Sequence, residues 1–198
     1  YGYDELSRIA TIKDPATNIS DSRTYTDNGQ IASTEDANSN LTEFTYDGHD
    51  RSDKVTYPDT TYEQNQSYDA NGNILTFRTR SGSTIVNTFD ELNRLKTKTP
   101  QSEPTVTYAY DLTGRLLSAS KPVVSGDPGT GTFNLDYDSA GRFYKEVYPD
   151  SKTIEHELDE NGNVTKTTYP DGSWYLERVF DELNRLTDIK LNGATSSA

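Results

Sequence analysis

The residues best equipped for chemistry in this sequence are its acids, set in short turn-forming runs. Tyr68-Asp69-Ala70-Asn71-Gly72-Asn73-Ile74 and Leu158-Asp159-Glu160-Asn161-Gly162-Asn163-Val164 place side-chain oxygens at alternate positions, the donor set a calcium ion takes from a loop. Neither run supplies a bidentate Glu or the twelve-residue ligand pattern. The same turn also recurs with Leu-Asn in place of Asn-Gly, so these acids read as turn builders. The histidines, His49 and His156, stand 107 positions apart with no Ser or carboxylate tied to either. A nucleophilic triad needs a base held against its nucleophile by a third group, and nothing here suggests one. Carboxylate pairs for glycoside hydrolysis are uninformative in a chain where acids occur everywhere. No catalytic residue, metal site or cofactor is expected, and the chain reads as a non-enzyme.

Six arginines follow the acids at fixed spacing: Arg8, Arg51, Arg94, Arg115, Arg142 and Arg185, each four residues after an Asp or its equivalent. They read as cross-strand ion pairs and as caps on neighbouring aromatic rings, each worth at most about 1 kcal/mol when exposed. A row of Tyr would alternatively offer a platform for sugar C–H faces. Repetition at every rung favours packing.

What must position these residues is a repeat. Aromatic, Asp, two free positions, Gly or Asn, Arg or Asn, aliphatic recurs nine times, starting at Tyr3, Tyr25, Tyr46, Tyr68, Phe89, Tyr110, Tyr137, Leu158 and Phe180. The starts are 22, 21, 22, 21, 21, 27, 21 and 22 residues apart. Period is the first thing to seek in such a chain, because a missed repeat misreads the whole fold. The one long interval holds Ser125 to Gly131, a run of turn formers that reads as a surface-loop insertion.

Within the motif, the fifth position is Gly in five copies (Gly29, Gly72, Gly114, Gly141, Gly162), Asn93 or Asn184 in two, and Ser7 or Asp50 in the others. This is mostly the set that tolerates a left-handed backbone. The Asp three residues earlier (Asp4, Asp47, Asp69, Asp90, Asp111, Asp138, Asp159, Asp181) is placed to accept hydrogen bonds from the turn's own amides. Together they predict a type I turn closed by a left-handed residue, a common short hairpin loop. Half a repeat later comes a second turn signal, as in Asp14-Pro15-Ala16, Pro58-Asp59, Ser81-Gly82-Ser83, Pro100-Gln101-Ser102, Pro149-Asp150 and Pro170-Asp171-Gly172. Two turns per repeat leave two strands, so each repeat is one β-hairpin. Period-two alternation supports this on the incoming strands, in Phe44 and Tyr46, Tyr108 and Tyr110, Leu135 and Tyr137, and Trp174, Leu176 and Phe180. It predicts one aromatic face and one polar face.

Composition sets the outer bounds. Lys and Arg total 19 against 32 Asp and Glu, a net charge of −13, which argues against nucleic acid and anionic membrane as partners. Leu, Ile, Val and Phe make up 36 of 198 residues, near the disordered range, but 14 Tyr, 6 Phe and abundant Thr favour pleated strands. Cys is absent, which excludes disulfides and thiolate metal sites. Met is absent too, even at position 1, so the chain is expected to be an excised piece. No apolar run approaches the roughly 20 residues of a membrane span, and no membrane insertion is expected.

The motif and its spacing, from Tyr1 to about Leu191, are similar to the RHS or YD repeat found in bacterial polymorphic toxins, insecticidal toxin complexes and teneurins. The resemblance implies a secreted or surface-associated β-shell that encapsulates or displays another polypeptide, such as a C-terminal toxin, with extracellular carbohydrate or protein binding as the alternative. Its implied partners are the rest of a parent RHS protein and its effector, or glycan. The self-cleaving core motif of toxin shells is not recognisable, and Asp127-Pro128-Gly129, a faint echo of it, lies mid-array. The expected fold is all-β: residues 1–191 as about nine antiparallel hairpins stacked into a twisted, spiralling sheet, with 192–198 a flexible tail. Open edge strands of such an array are templates for edge-to-edge self-association.

Overall fold

A computed structural model describes residues 1–16, 18–127, 129–170, 172–192 and 194–195. It is all-β, and every strand pairing it resolves is antiparallel. The chain divides into two units, Tyr1–Asn93 with Lys98–Glu103, and Arg94–Thr97 with Pro104–Ala198.

In the first unit the strands are β1 (Gly2–Tyr3), β2 (Ile9–Lys13), β3 (Ile19–Tyr25), β4 (Ile31–Asp36), β5 (Leu41–Tyr46), β6 (Ser52–Thr56), β7 (Tyr62–Tyr68), β8 (Ile74–Arg78) and β9 (Thr84–Phe89). Each pairs with the next in sequence. Strand β10 (Leu95–Pro100) has residues in each unit. The second unit continues with β11 (Val106–Tyr110), β12 (Leu116–Lys121), β13 (Gly131–Tyr137), β14 (Phe143–Val147), β15 (Thr153–Leu158), β16 (Val164–Thr168), β17 (Tyr175–Phe180), β18 (Leu186–Leu191) and β19 (Ala194–Thr195). Neighbours pair in order there too. Of the expected 192–198 tail, Gly193 and 196–198 lie outside the described residues, as do Pro128 and Asp171 of the turns noted above.

The motif turns share one geometry. In Asp47–Arg51, the Asp50 amide donates to the Asp47 carbonyl at 3.0 Å and the Asp47 amide to the Arg51 carbonyl at 2.9 Å. The register then slips by one residue between Thr45 and Tyr46. This is the type I turn plus bulge that loops of this length adopt. All nine fifth positions are left-handed, including Ser7 at φ 62° and Asp50 at φ 60°, which side-chain type alone did not mark. The half-repeat turns use the same closure: Tyr57 bonds Thr61 and Thr60, with Thr60 at φ 67°. The turns at Asp36, Thr79 and Tyr148 close likewise, so one loop solution serves at both ends of many strands, while the Tyr169 turn closes one residue later, on Trp174.

Residues in direct register share a face. In the second unit one face carries rows of alternating charge, Asp136–Lys145–Glu155 and Glu157–Lys166–Glu177–Lys190. The other carries Leu135, Ile154, Leu176 and Leu191, but also Glu146 and His156. In the first unit Phe44 and Val55 share their face with Glu63. The expected division into an aromatic and a polar face is thus corrected: carboxylates sit among the rings, where they meet tyrosine hydroxyls, as Glu146 meets Tyr148 at 3.1 Å. Trp174 lies in the turn before β17, not in a strand.

Among the described residues no hydrophobic side chain is fully buried; the two buried side chains are those of Thr130 and Thr167, 6% and 5% exposed. Among the described residues apolar side chains are at most half-buried, so strand ladders and the contacts between successive repeats carry much of the hold on these hairpins.

Candidate functional site: a ladder of tyrosine-aspartate turns

The motif Asp uses both carboxylate oxygens. Asp47 Oδ1 accepts from the amides of His49 at 2.8 Å and Arg51 at 3.0 Å, while Oδ2 accepts from Arg51 Nε at 2.7 Å. Asp111 with Arg115, Asp138 with Arg142, Asp4 with Arg8 and Asp181 with Arg185 repeat the pattern. Where the sixth residue is Asn, its Nδ2 takes the guanidinium's place, with Asn73 on Asp69 and Asn163 on Asp159, each at 2.8 Å. The copy starting at Tyr25 has Thr26 in the Asp position, and its hydroxyl accepts the Gln30 amide at 3.2 Å.

These donors hold the carboxyls ionised. The Arg51 side chain bonded to Asp47 brings that group down to about 2. The Arg8 amide does the most to lower Asp4, and the Arg142 amide to lower Asp138. The Asn73 and Asn163 side chains lead for Asp69 and Asp159. For Asp111, burial is the largest single influence and pushes upward, but the Arg115 amide and the Thr113 hydroxyl help bring it below the ordinary carboxylate range.

The arginine then reaches the next repeat. Arg8 lies over the Tyr25 ring at 4.3 Å, Arg51 over Tyr68 at 4.0 Å, Arg94 over Tyr110 and Arg115 over Tyr137 both at 4.7 Å. Arg142 Nη1 donates to the Asp159 carbonyl at 2.7 Å, and Arg94 Nη1 to that of Asp111 at 2.9 Å. A Cβ at Gly141, whose φ is 81°, would collide with the Arg115 guanidinium, so that glycine serves both the turn and the arginine lying on it.

Tyrosine returns the contact. Its hydroxyl donates to the backbone carbonyl of the motif's seventh residue one repeat earlier: Tyr25 to Ile9 at 2.7 Å, Tyr46 to Ile31 at 2.9 Å, Tyr110 to Leu95 at 2.9 Å, Tyr137 to Leu116 at 3.0 Å, and Tyr68 to Ser52. In the Phe89 copy, Asn87 supplies the donor instead, its Nδ2 reaching the Ile74 carbonyl at 3.0 Å. Asparagine tips join the ladder, Asn71 to Asn93 at 2.8 Å and Asn161 to Asn184 at 3.0 Å. Sequence reading missed these links between repeats; the signal for them was the choice of Tyr over Phe in six of the nine copies.

The structure does not assemble the other candidates into a site. His49 stands in a turn, and His156 on β15 meets Thr167 Oγ1 at 3.1 Å and the Phe143 ring at 5.7 Å. Among the described residues no three of His, Asp and Glu gather as metal ligands. No described helix is long and apolar enough to cross a membrane.

Successive antiparallel hairpins, all but one of their motif turns built on Asp, and stitched by Arg and Tyr to their neighbours, define a YD-repeat array. The Teneurin YD-shell model matches residues 1–196, and the chain belongs to that family. A search of curated proteins returned no match. Among solved structures, the chain is similar to the TcdB2-TccC3 crystal structure (TM-score 0.64, 18% identity, 94% of this chain and 12% of that one). It is also similar to the Tc holotoxin pore of Photorhabdus luminescens carrying a TccC3 mutation (TM-score 0.68, 16% identity, 86% of this chain and 10% of that one). A TcdB2-TccC3-TEV structure aligns at TM-score 0.56 and 16% identity, over 88% of this chain and 11% of that one. At such identities the likeness is one of fold, and the chain spans about a tenth of each of those proteins.

Proposed function

We propose that this chain is a non-catalytic wall segment of a secreted or cell-surface YD shell that encloses or displays another polypeptide, such as a C-terminal toxin. In this reading the motif acids and glycines, from Asp4 and Gly29 to Gly162 and Asp181, are scaffolding. The observation that carries it is the link between repeats. The motif's repeated chemistry is spent on its own turn and on the neighbouring repeat, with Asp47 holding Arg51 and Arg51 capping Tyr68. Family membership supports the same role. The test is limited proteolysis of the parent protein alongside its isolated effector segment. Protection of that segment only within the parent is expected; equal cleavage rates in both would sink the idea.

A second reading, an extracellular glycan-binding module, draws on Trp174, which is 51% exposed beside Tyr169 and Pro170 at an open cleft. Aromatic faces of this kind suit pyranose rings. Glycan-array binding above background, with or without calcium, would favour it; a blank array under both conditions would dismiss it.

A further inference from the structure

The half-repeat turn Tyr-Pro-Asp occurs in both units, and in one of them its aromatic face is filled. In the first unit, Tyr57-Pro58-Asp59-Thr60-Thr61 receives Arg80 from the following half-repeat turn. The Arg80 guanidinium lies over the Tyr57 ring at 4.1 Å, its Nη2 bonds Asp59 Oδ2 at 2.8 Å and its Nε bonds Thr61 Oγ1 at 2.7 Å. A ring face, a carboxylate and a hydroxyl thus form a complete guanidinium seat.

The second unit builds the same turn from Tyr148-Pro149-Asp150-Ser151-Lys152. Its closing bonds measure 2.8 and 2.9 Å, the values found at Tyr57, and Ser151 has φ 66° where Thr60 has 67°. The next half-repeat turn starts alike, Tyr169 standing where Thr79 stands and Gly172 donating to the Tyr169 carbonyl as Gly82 does to that of Thr79, both at 2.9 Å, but it closes one residue later, on Trp174. The position of Arg80 is therefore held by Pro170, which has no side chain to send across. What remains is an open cleft of about 300 Å³ lined by Tyr148, Asp150, Lys152, Ile154 and Pro170. A second cleft of about 470 Å³, lined by Tyr169, Trp174 and Leu191, shares Lys152 and Pro170 with it.

We propose that this cleft binds an arginine side chain presented by a partner polypeptide, the guanidinium resting on Tyr148 and bonding Asp150, with an adjacent apolar residue in the cleft of Tyr169, Trp174 and Leu191. Glu146, bonded to the Tyr148 hydroxyl, adds a second negative charge at the ring, and the chain's net charge of −13 favours a cationic guest. Lys152, at the position of Thr61, now pairs with Asp150 at 2.7 Å. It is 64% exposed, so its ammonium can exchange Asp150 for water when the guanidinium enters. Arginine is preferred to lysine because its planar fork can bond the carboxylate while its face stacks on the ring.

Trp174 is the chain's single tryptophan and lines the adjoining cleft, so its fluorescence reports occupancy. The intact chain is titrated with acetyl-Leu-Arg-amide and acetyl-Leu-Lys-amide. Saturable binding of the first, with the second weaker by roughly tenfold, is expected. Pro170→Arg, which fills the seat as Arg80 fills its own, should abolish binding. Asp150→Asn should weaken it roughly tenfold, and Lys152→Thr should strengthen it. Asp59→Asn, in the filled turn, should leave it unchanged. If Pro170→Arg does not fold, Asp150→Asn decides the matter. Equal binding of both peptides, indifference to Asp150→Asn, or saturation by maltotriose and not by the arginine peptide would each overturn the proposal. The outcome is independent of whether the parent protein encloses an effector.

Discussion

The hydroxyl of Tyr46 donates to the backbone carbonyl of Ile31, 2.9 Å away and one repeat earlier. That carbonyl belongs to the residue closing the previous motif, so the bond fixes the end of one turn to the strand entering the next. Tyr46→Phe keeps the ring and removes only the bond. A loss of about 1 kcal/mol is expected, lowering Tm by roughly 2–4 °C in a thermal melt. An unchanged Tm would show that the hydroxyl contributes nothing.

Asn87 offers the reciprocal experiment. Its amide reaches the Ile74 carbonyl in the copy where the motif aromatic is Phe89. Asn87→Ala should cost about 1 kcal/mol, and adding Phe89→Tyr should restore most of it by returning a hydroxyl to that carbonyl. Two costs that simply add would refute the exchange.

Asp47 differs from both in serving three donors. Asp47→Ala should lower Tm more than Asp47→Asn, because Asn keeps an oxygen for the two amides and loses only the charge facing Arg51. Thermal melts of the two variants provide the comparison; equal Tm values would contradict it.

Acid should act through the same groups. Asp47 and Asp59 are held at about 2 in the folded chain, the first by Arg51 and the second by the Thr61 hydroxyl and then Arg80. Their unfolded value is about 3.9, so the unfolded chain binds more protons between these limits. Their stabilisation is complete above about pH 4 and disappears as pH falls toward 2. Circular dichroism melts should therefore show a steady Tm from pH 7 to about 4.5 and a steep fall below about 4. A flat profile down to pH 2 would exclude these carboxylates as contributors.

Thr60 carries a β-branched side chain at φ 67°. Left-handed backbone disfavours such a residue, so Thr60→Gly should stabilise the chain by about 1 kcal/mol despite glycine's entropy. A lower Tm in the variant would mean that Thr60 makes a compensating contact.

Much of this was legible from spacing alone. Nine motifs at near-constant intervals, eight with Asp in second place and one with Thr26, specify hairpins, because such a residue with a left-handed one three positions later closes only one kind of loop. Ser7 and Asp50 were harder to place: neither announces a positive φ, and only the frame set by Gly29 and Gly72 shows that they must adopt it. The polar members of the aromatic face were less legible still. Glu146 and Glu63 sit among rings through cross-strand register, which a single strand's alternation does not contain. The cleft at Tyr148 is invisible to motif reading, since it arises from a proline twenty-two residues away in the chain failing to do what Arg80 does.

That no hydrophobic side chain is fully buried among the described residues has a calorimetric consequence. Heat-capacity change on unfolding comes mainly from newly wetted hydrocarbon, normally about 12–15 cal/mol/K per residue. Strand rings and aliphatics such as Phe44, Tyr46, Val55 and Tyr137 are half-buried, so unfolding still wets hydrocarbon, and the increment should fall only modestly below that figure. Its stability curve should then be a little flatter than that of a protein with a closed apolar core, and calorimetry reads that flattening directly.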